Sequence, residues 1–159
     1  MRYVMTQKFW SLATDFSIRD EHGDDQFLVR GEPFSLGAKL HLLNLQGEEL
    51  AYISQRLLAW GATYEIHRPG RDVTVVKKEL FTLFHCKFEV DGPGDEDFEA
   101  RGDFTDHEYE ILGPNGTAAV VSKQWFSWMD TYGIEIHSGD TSLLLATAVV
   151  IDLVCHAAE

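Results

Sequence analysis

Histidine is the residue type in this chain best suited to acid–base chemistry or metal binding, but its spacing argues against both. No two histidines follow the H-x-H or H-x-x-x-H pattern, and no G-x-S-x-G turn presents a serine nucleophile. The seven histidines lie mostly in predicted strands and turns, at positions 22, 41, 67, 85, 107, 137 and 156. We therefore expect no catalytic residues and no metal site. A metal site assembled across strands is the alternative that spacing leaves open.

The two cysteines and one acidic turn offer other kinds of chemistry. Cys86 and Cys155 match no C-x-x-C or Cys/His zinc spacing, so we expect two buried thiols. The turn Asp91–Asp97 could present carboxylates to calcium, but it lacks the ligand order of a calcium-binding loop. We interpret it as a solvated hairpin turn. None of these residues predicts a cofactor.

Charge limits the classes of partner. The chain carries 26 acidic and 13 basic side chains, for a formal net charge of −13. Such a field repels nucleic acid, so we expect no nucleic-acid partner. The residues after Met1 contain no apolar stretch of the roughly 7–15 residues that a secretory signal needs, which favours a cytoplasmic location. Solubility and a high-salt cytoplasm both remain open as reasons for the acidic surface.

Residues 140–156 predict the element that organises the molecule. This helix is apolar on every side, so it must be enclosed by protein or lipid. Leu143–Val154 falls short of the roughly 20 residues of a membrane span, and Asp152 interrupts it. Asp140 suits the N-cap because its carboxylate can accept the free N–H groups of the first turn. We predict a helix threaded through a closed β-barrel rather than an integral membrane protein.

Asp152 is the one acidic residue inside the apolar helix. A buried, isolated carboxylate either takes up a proton or finds a partner. We predict that Asp152 lies at the mouth of the barrel and accepts hydrogen bonds from a tyrosine or tryptophan or from backbone N–H groups. These bonds would fix the depth and rotation of the helix. The alternative is that the helix has left the barrel by this point and Asp152 meets water.

The rest of the chain predicts a series of β-hairpins. Short alternating runs are separated by glycine-bearing turns, which indicates about twelve mostly antiparallel strands in a single domain over residues 1–159. The two halves align at an offset of about 70 residues, so that Ala51 and Trp60 match Ala119 and Trp128. An internal duplication of this kind would close a barrel and remove its exposed edges.

One apolar cluster recurs in both halves. It is Trp125–Trp128 in the second half and Leu57–Trp60 in the first. We predict a corner that packs against the barrel wall. A ligand-stacking or interfacial patch is the alternative.

Five segments carry a resemblance to a known family. They are Tyr3–Phe9, Phe34–Gly37, Gly102–Ile111, Val121–Trp128 and Ala148–Asp152. Together they resemble the LURP-one-related (LOR) family, which is similar to the Tubby C-terminal domain and the phospholipid scramblases. The resemblance implies a twelve-stranded barrel around a C-terminal helix. It implies no activity that can be assigned residue by residue.

The Tubby-like resemblance also raises binding of a phospholipid or phosphoinositide headgroup. Such binding needs a convergent basic patch, and the candidates are Arg68, Arg71, Lys77, Lys78 and Lys123. Lys77 and Lys78 are neighbours, so in a strand they point to opposite faces and cannot both serve one headgroup. We therefore favour a non-enzymatic interaction or scaffold domain with an unknown protein or lipid partner. Headgroup binding is the alternative.

Overall fold

Twelve β-strands precede a single α-helix. The structure, a computed structural model, describes residues 1–6, 15–80, 85–126 and 131–156. The elements are β1 (Arg2–Thr6), β2 (Phe16–Asp20), β3 (Asp25–Gly31), β4 (Lys39–Asn44), β5 (Glu49–Gln55), β6 (Thr63–His67), β7 (Thr74–Leu80), β8 (Cys86–Asp91), β9 (Phe98–Asp103), β10 (Glu108–Gly113), β11 (Gly116–Ser122), β12 (Thr131–Ile136) and α1 (Thr141–His156). The cluster residues Ser127–Trp128 lie outside the described residues.

The strands form one closed antiparallel barrel, which confirms the predicted fold class. Each strand pairs with its neighbours in the chain, and β1 closes the ring by pairing with β12. In that closing pair Arg2 faces Glu135 and Met5 faces Tyr132. Closure leaves no strand edge free to pair with another chain.

Helix α1 fills the lumen. Its residues Leu143–Leu153 are all buried, which is the environment that an all-round apolar helix requires. Strand residues that point inward, such as Leu42, Ile53 and Ile111, are also fully buried and pack into the same core. The helix therefore supplies the volume that side chains alone cannot fill in a ring of twelve strands. Within the described residues, no helix combines the length and the apolar character needed to cross a membrane.

Three hairpins contain a shift in register, and two of them match between the halves of the chain. The pairing of β4 with β5 shifts register between Leu42 and Leu43, and the pairing of β10 with β11 shifts between Ile111 and Leu112. These positions match at the offset found in the sequence. The third, in the pairing of β2 with β3 between Ile18 and Arg19, has no counterpart in the pairing of β8 with β9. A bulge at the same place in both halves is what an internal duplication predicts, because bulges are retained features of a strand pair.

Candidate functional site at one end of the barrel

The two ends of the barrel differ sharply in chemistry. We call the end where α1 begins the acidic end, and the end where it finishes the apolar end. Eight carboxylates lie in the segments that connect the strands at the acidic end, namely Glu21, Asp24, Glu48, Asp72, Asp95, Glu96, Asp97 and Asp140. The described connecting segments at the apolar end carry three carboxylates, Asp15, Glu32 and Asp106, and they hold most of the large exposed hydrophobic side chains. The barrel is therefore polarised along its axis.

The apolar end presents a set of exposed side chains that we call the apolar rim. Its members are Phe34, Leu36, Leu57, Leu58, Trp60 and Leu80. Leu58 and Trp60 have 101% and 94% of the solvent exposure of a fully exposed residue of the same type, so they protrude rather than pack. The predicted packed corner is therefore absent at Leu57–Trp60. In the second half, Trp125 and Phe126 do pack against the wall, where they cover Gly133.

Backbone contacts hold the loops of the rim together. The amide of Gln55 donates to the Ala38 carbonyl at 2.9 Å, and the amide of Lys78 donates to the Ala62 carbonyl at 3.0 Å. Leu57 covers Gly37 so closely that a Cβ at Gly37 would lie 2.7 Å from its side chain. The β3–β4, β5–β6 and β7–β8 ends thus form one surface rather than three independent loops.

Arginines and lysines differ in how often they pair with carboxylates. Every arginine of the chain pairs with a carboxylate. Among the described residues, Lys87 forms ion pairs with three glutamates, whereas the ammonium groups of four other lysines form none. They are Lys39, Lys77, Lys78 and Lys123. Lys39 and Lys123 lie at the apolar end, and Lys77 and Lys78 lie at and just past the middle of β7, so these lysines are found toward the apolar end rather than at the acidic end.

The five headgroup candidates divide between the two ends. Arg68 and Arg71 lie in the β6–β7 connection at the acidic end, where both donate to Glu96. Lys77 is exposed, whereas Lys78 lines a cavity beside Cys155, so the two neighbours do point to opposite faces. Lys123 follows β11 at the apolar end. The structure brings the three lysines to one end and does not bring the arginines to them.

Asp140 occupies the N-terminus of α1 and connects it to the barrel. Its Oδ1 accepts the amide of Ser142 at 2.9 Å, and its Oδ2 accepts Arg68 at 2.8 Å. Burial acts to raise the pKa of Asp140, but the bonds from Ser142 and Arg68 outweigh it and lower the pKa below its usual value. The carboxylate is thus ionised where it neutralises a buried guanidinium and the helix dipole.

A buried polar cluster lies inside the apolar end. It consists of His107, Tyr109, Tyr132, Asp152 and His156. The Tyr132 hydroxyl donates to Oδ2 of Asp152, and the carboxyl is completely buried. Nε2 of His107 lies 3.0 Å from Oδ1 of Asp152, but the direction is wrong for a hydrogen bond, and neither atom has a hydrogen-bond partner among the described residues. Asp152 is thus the hub of the cluster.

Three parts of the chain position this cluster. His107 sits in the β9–β10 turn with φ at 53°, a left-handed conformation that is uncommon for residues other than glycine. Its ring stacks between Tyr132 and His156, at centroid distances of 4.2 and 4.4 Å. His156, in the last turn of α1, donates from Nε2 to the carbonyl of Phe104 at 3.0 Å. The helix C-terminus is therefore tied to the β9–β10 turn.

The two tyrosines of the cluster keep their hydroxyl protons. Burial, followed by the charge of Asp152, raises the pKa of both Tyr109 and Tyr132 well above the usual value. Both phenols therefore keep their protons at neutral pH. Tyr132 uses its proton to bind Asp152, whereas the Tyr109 hydroxyl has no hydrogen-bond partner among the described residues.

A cavity of about 500 Å³ opens beside the cluster. Cys86 and Cys155 line it together with Lys78 and Asp103. Both thiols are free and partly buried. Burial raises the pKa of Cys155 to about 11, so this thiol stays protonated and is a weak nucleophile at neutral pH.

Sequence reasoning missed most of this cluster. Asp152 stood out, but His107, His156 and the two tyrosines did not, because the two histidines follow no metal-ligand spacing. The useful signal is the spacing of Asp152 and His156, which are four residues apart and therefore share one face of a helix. The apolar rim was missed because exposed and buried leucines look alike in a short loop.

Comparison with known proteins gives a consistent family. A family model described as LURP-one-related matches residues 1–152. The chain is 33% identical over 153 residues to the uncharacterized protein YxjI of Bacillus subtilis (strain 168), in a match that covers 96% of this chain and 92% of that protein. Its fold is similar to the X-ray structure of a protein from Arabidopsis thaliana, with a TM-score of 0.63 at 17% identity, over 94% of this chain and 88% of that one. The chain therefore belongs to the LURP-one-related (LOR) family.

Proposed function

We propose that this protein is a non-catalytic interaction domain that docks through its apolar rim onto the surface of a lipid bilayer. The observation that carries the proposal is the polarity of the barrel. Most of the large exposed hydrophobic side chains lie at the apolar end, toward which the lysines without an ion pair also lie. The described connecting segments hold eight carboxylates at the acidic end and three at the apolar end.

The rim has the composition that a bilayer surface requires. Side chains such as Trp60 and Leu58 contribute about 1.5–3 kcal/mol each when their apolar surface leaves water. Tryptophan is also favoured at the level of the headgroups, because its large apolar ring carries a polar N–H group. With the rim inserted, Lys39, Lys77, Lys78 and Lys123 would lie near that level and attract anionic lipid.

The acidic end explains how a chain of net charge −13 could approach such a surface. Interactions between exposed charges are screened over about 8 Å at physiological ionic strength, which is short compared with the length of a barrel. Carboxylates at the far end are therefore a weak barrier to docking. They would instead orient the molecule, because the opposite approach places them against the headgroups.

Vesicle sedimentation tests the proposal. The wild-type chain is mixed with phosphatidylcholine vesicles that contain or lack about one fifth phosphatidylserine, and the bound fraction is measured at low and high salt. We expect binding that increases with phosphatidylserine and persists in part at high salt, because insertion of apolar side chains is not screened. The double variant Leu58→Ser, Trp60→Ser should bind at least tenfold more weakly.

Leu45 offers a matched control at the other end of the barrel. It is 52% exposed in the β4–β5 connection, so Leu45→Ser removes an exposed leucine without touching the rim. This variant should bind as the wild type does. Absence of vesicle binding by the wild type would overturn the proposal. Rim-dependent dimers in sedimentation velocity would replace the bilayer with a second copy of the chain.

A further inference from the structure

Unsatisfied buried polar atoms are concentrated in one place. Among the described residues, six buried side-chain atoms have no hydrogen-bond partner, and four of them belong to the buried polar cluster. These four are Nδ1 and Nε2 of His107, the Tyr109 hydroxyl and Oδ1 of Asp152. Buried polar groups nearly always have a hydrogen-bond partner. Four unpaired atoms in one cluster therefore indicate that a binding partner is missing from it.

The donor types identify the partner. One ligand atom from each of His107, Asp152 and His156 lies within 4.8 Å of the other two. Two imidazoles and a carboxylate are the ligands of borderline divalent ions such as zinc and cobalt, whereas calcium and magnesium take oxygen ligands. From this arrangement we propose that His107, Asp152 and His156 form a site for one divalent transition-metal ion.

Distances in the cluster suit such an ion. Tetrahedral bonds of about 2.0–2.1 Å place two ligand atoms about 3.3 Å apart. Nε2 of His107 and Oδ1 of Asp152 are 3.0 Å apart and form no hydrogen bond with each other. The two imidazole rings are nearly parallel, at 10°, so coordination by both requires the partly buried His156 ring to tilt out of the stack.

Hydrogen bonds engage one polar atom each of Asp152 and His156 and leave a second atom of each free to bind an ion. Tyr132 donates to Oδ2 of Asp152, which leaves Oδ1 for the ion. His156 donates from Nε2 to the Phe104 carbonyl, which leaves the lone pair on Nδ1. Histidine ligands in metal sites commonly donate their second N–H to a carbonyl in this way. A bound ion would fasten the C-terminal turn of α1 to the β9–β10 turn.

Cobalt titration of the full-length chain tests the site. Protein stripped with a chelator is titrated with Co²⁺ at about pH 7.5, and the visible absorption and the melting temperature are recorded. We expect one Co²⁺ per chain, absorption bands of low-coordinate cobalt, displacement by Zn²⁺, and a melting temperature raised by about 5 °C at a large excess of ion over the Kd. The chelator should reverse the rise.

Two variants separate loss of ligands from loss of fold. His107→Asn keeps a residue that tolerates φ of 53°, and His156→Gln keeps a polar side chain at the helix end. Each should bind Co²⁺ at least tenfold more weakly while its circular dichroism remains that of the wild type. His22→Gln, in an exposed turn, should bind normally. The proposal is overturned if the wild type binds no stoichiometric ion, or if binding survives both cluster variants.

Discussion

Asp152 determines how the helix end is held, because its carboxyl is completely buried and accepts the Tyr132 hydroxyl. Replacing it with alanine leaves Tyr132 and His107 facing an empty site. An unsatisfied buried donor costs about 1–3 kcal/mol, so Asp152→Ala should lower the free energy of unfolding by at least this amount. Urea denaturation measures the change.

Asp24→Ala is the matched control for this prediction, since Asp24 is exposed in the β2–β3 turn. Its effect should stay within about 0.5 kcal/mol, as is usual for surface positions. Equal losses of stability in the two variants would contradict a hub role for Asp152.

Asp140 makes stability depend on pH. Its pKa is lower in the folded chain than the value of about 3.9 that an aspartate has when unfolded. The unfolded state therefore binds more protons near this pH, and the stabilisation is complete above about pH 4 and is lost as pH falls through the folded pKa. Asp140→Asn keeps an N-cap side chain but removes the charge facing Arg68, so it should cost about 1 kcal/mol at about pH 7.

Thermal melts between about pH 3 and pH 7 distinguish this charge effect from capping. The difference between wild type and Asp140→Asn should shrink as the pH drops below about 4, because the wild-type carboxylate is then neutralised too. A difference that is constant with pH would show that the charge on Asp140 is not what stabilises the helix start. Asp24→Asn serves as the exposed control.

At the scale of the elements, α1 is part of the core of the barrel rather than a cover for it. Leu144 is fully buried, whereas Leu58 on the rim is fully exposed. Leu144→Ala should therefore lower the free energy of unfolding by about 2–5 kcal/mol through a cavity that the barrel wall cannot collapse to fill. Leu58→Ala should change it by less than about 0.5 kcal/mol. Calorimetry of the two variants checks both values.

The elements themselves were largely predictable from the sequence. Alternation along Leu40–Leu43 and a glycine turn at Gly47 are local signals, and the structure has β4 and β5 there. The buried position of the helix was predictable because the stretch from Leu143 to Ile151 is apolar on every side. A helix on the surface would have a polar face. Both predictions use patterns formed by residues that are close together in the sequence.

The candidate site was less predictable because its parts meet only in three dimensions. His107 and Asp152 are 45 residues apart in the chain, and no periodic pattern connects a turn histidine to a helix carboxylate. Exposure of Trp60 depends on the path of its loop beyond the barrel, which hydrophobicity alone does not determine. The apolar rim and the proposed metal ligands therefore become visible only in the folded structure.

At the scale of the whole molecule, the two proposals concern the same end of the barrel but fail independently. In the first proposal the rim would contact a bilayer through Leu58 and Trp60, whereas in the second the ion would lie among side chains that are buried beneath the rim. Vesicle binding without Co²⁺ binding, or the reverse, would separate them. If both hold, an ion that fastens the β9–β10 turn would also stiffen the end of the barrel that docks.

The order of the elements along the chain has a consequence for how the protein is made. Closing the ring joins β1 to β12, and α1, which fills the ring, follows all twelve strands. A nascent chain that has completed its twelve strands still lacks the helix side chains against which the inner faces of the strands pack. Contacts between parts of the chain that are distant in sequence form slowly. Until the helix is available, the strands expose apolar surface. During synthesis the growing chain is therefore most exposed to aggregation just before its helix emerges from the ribosome.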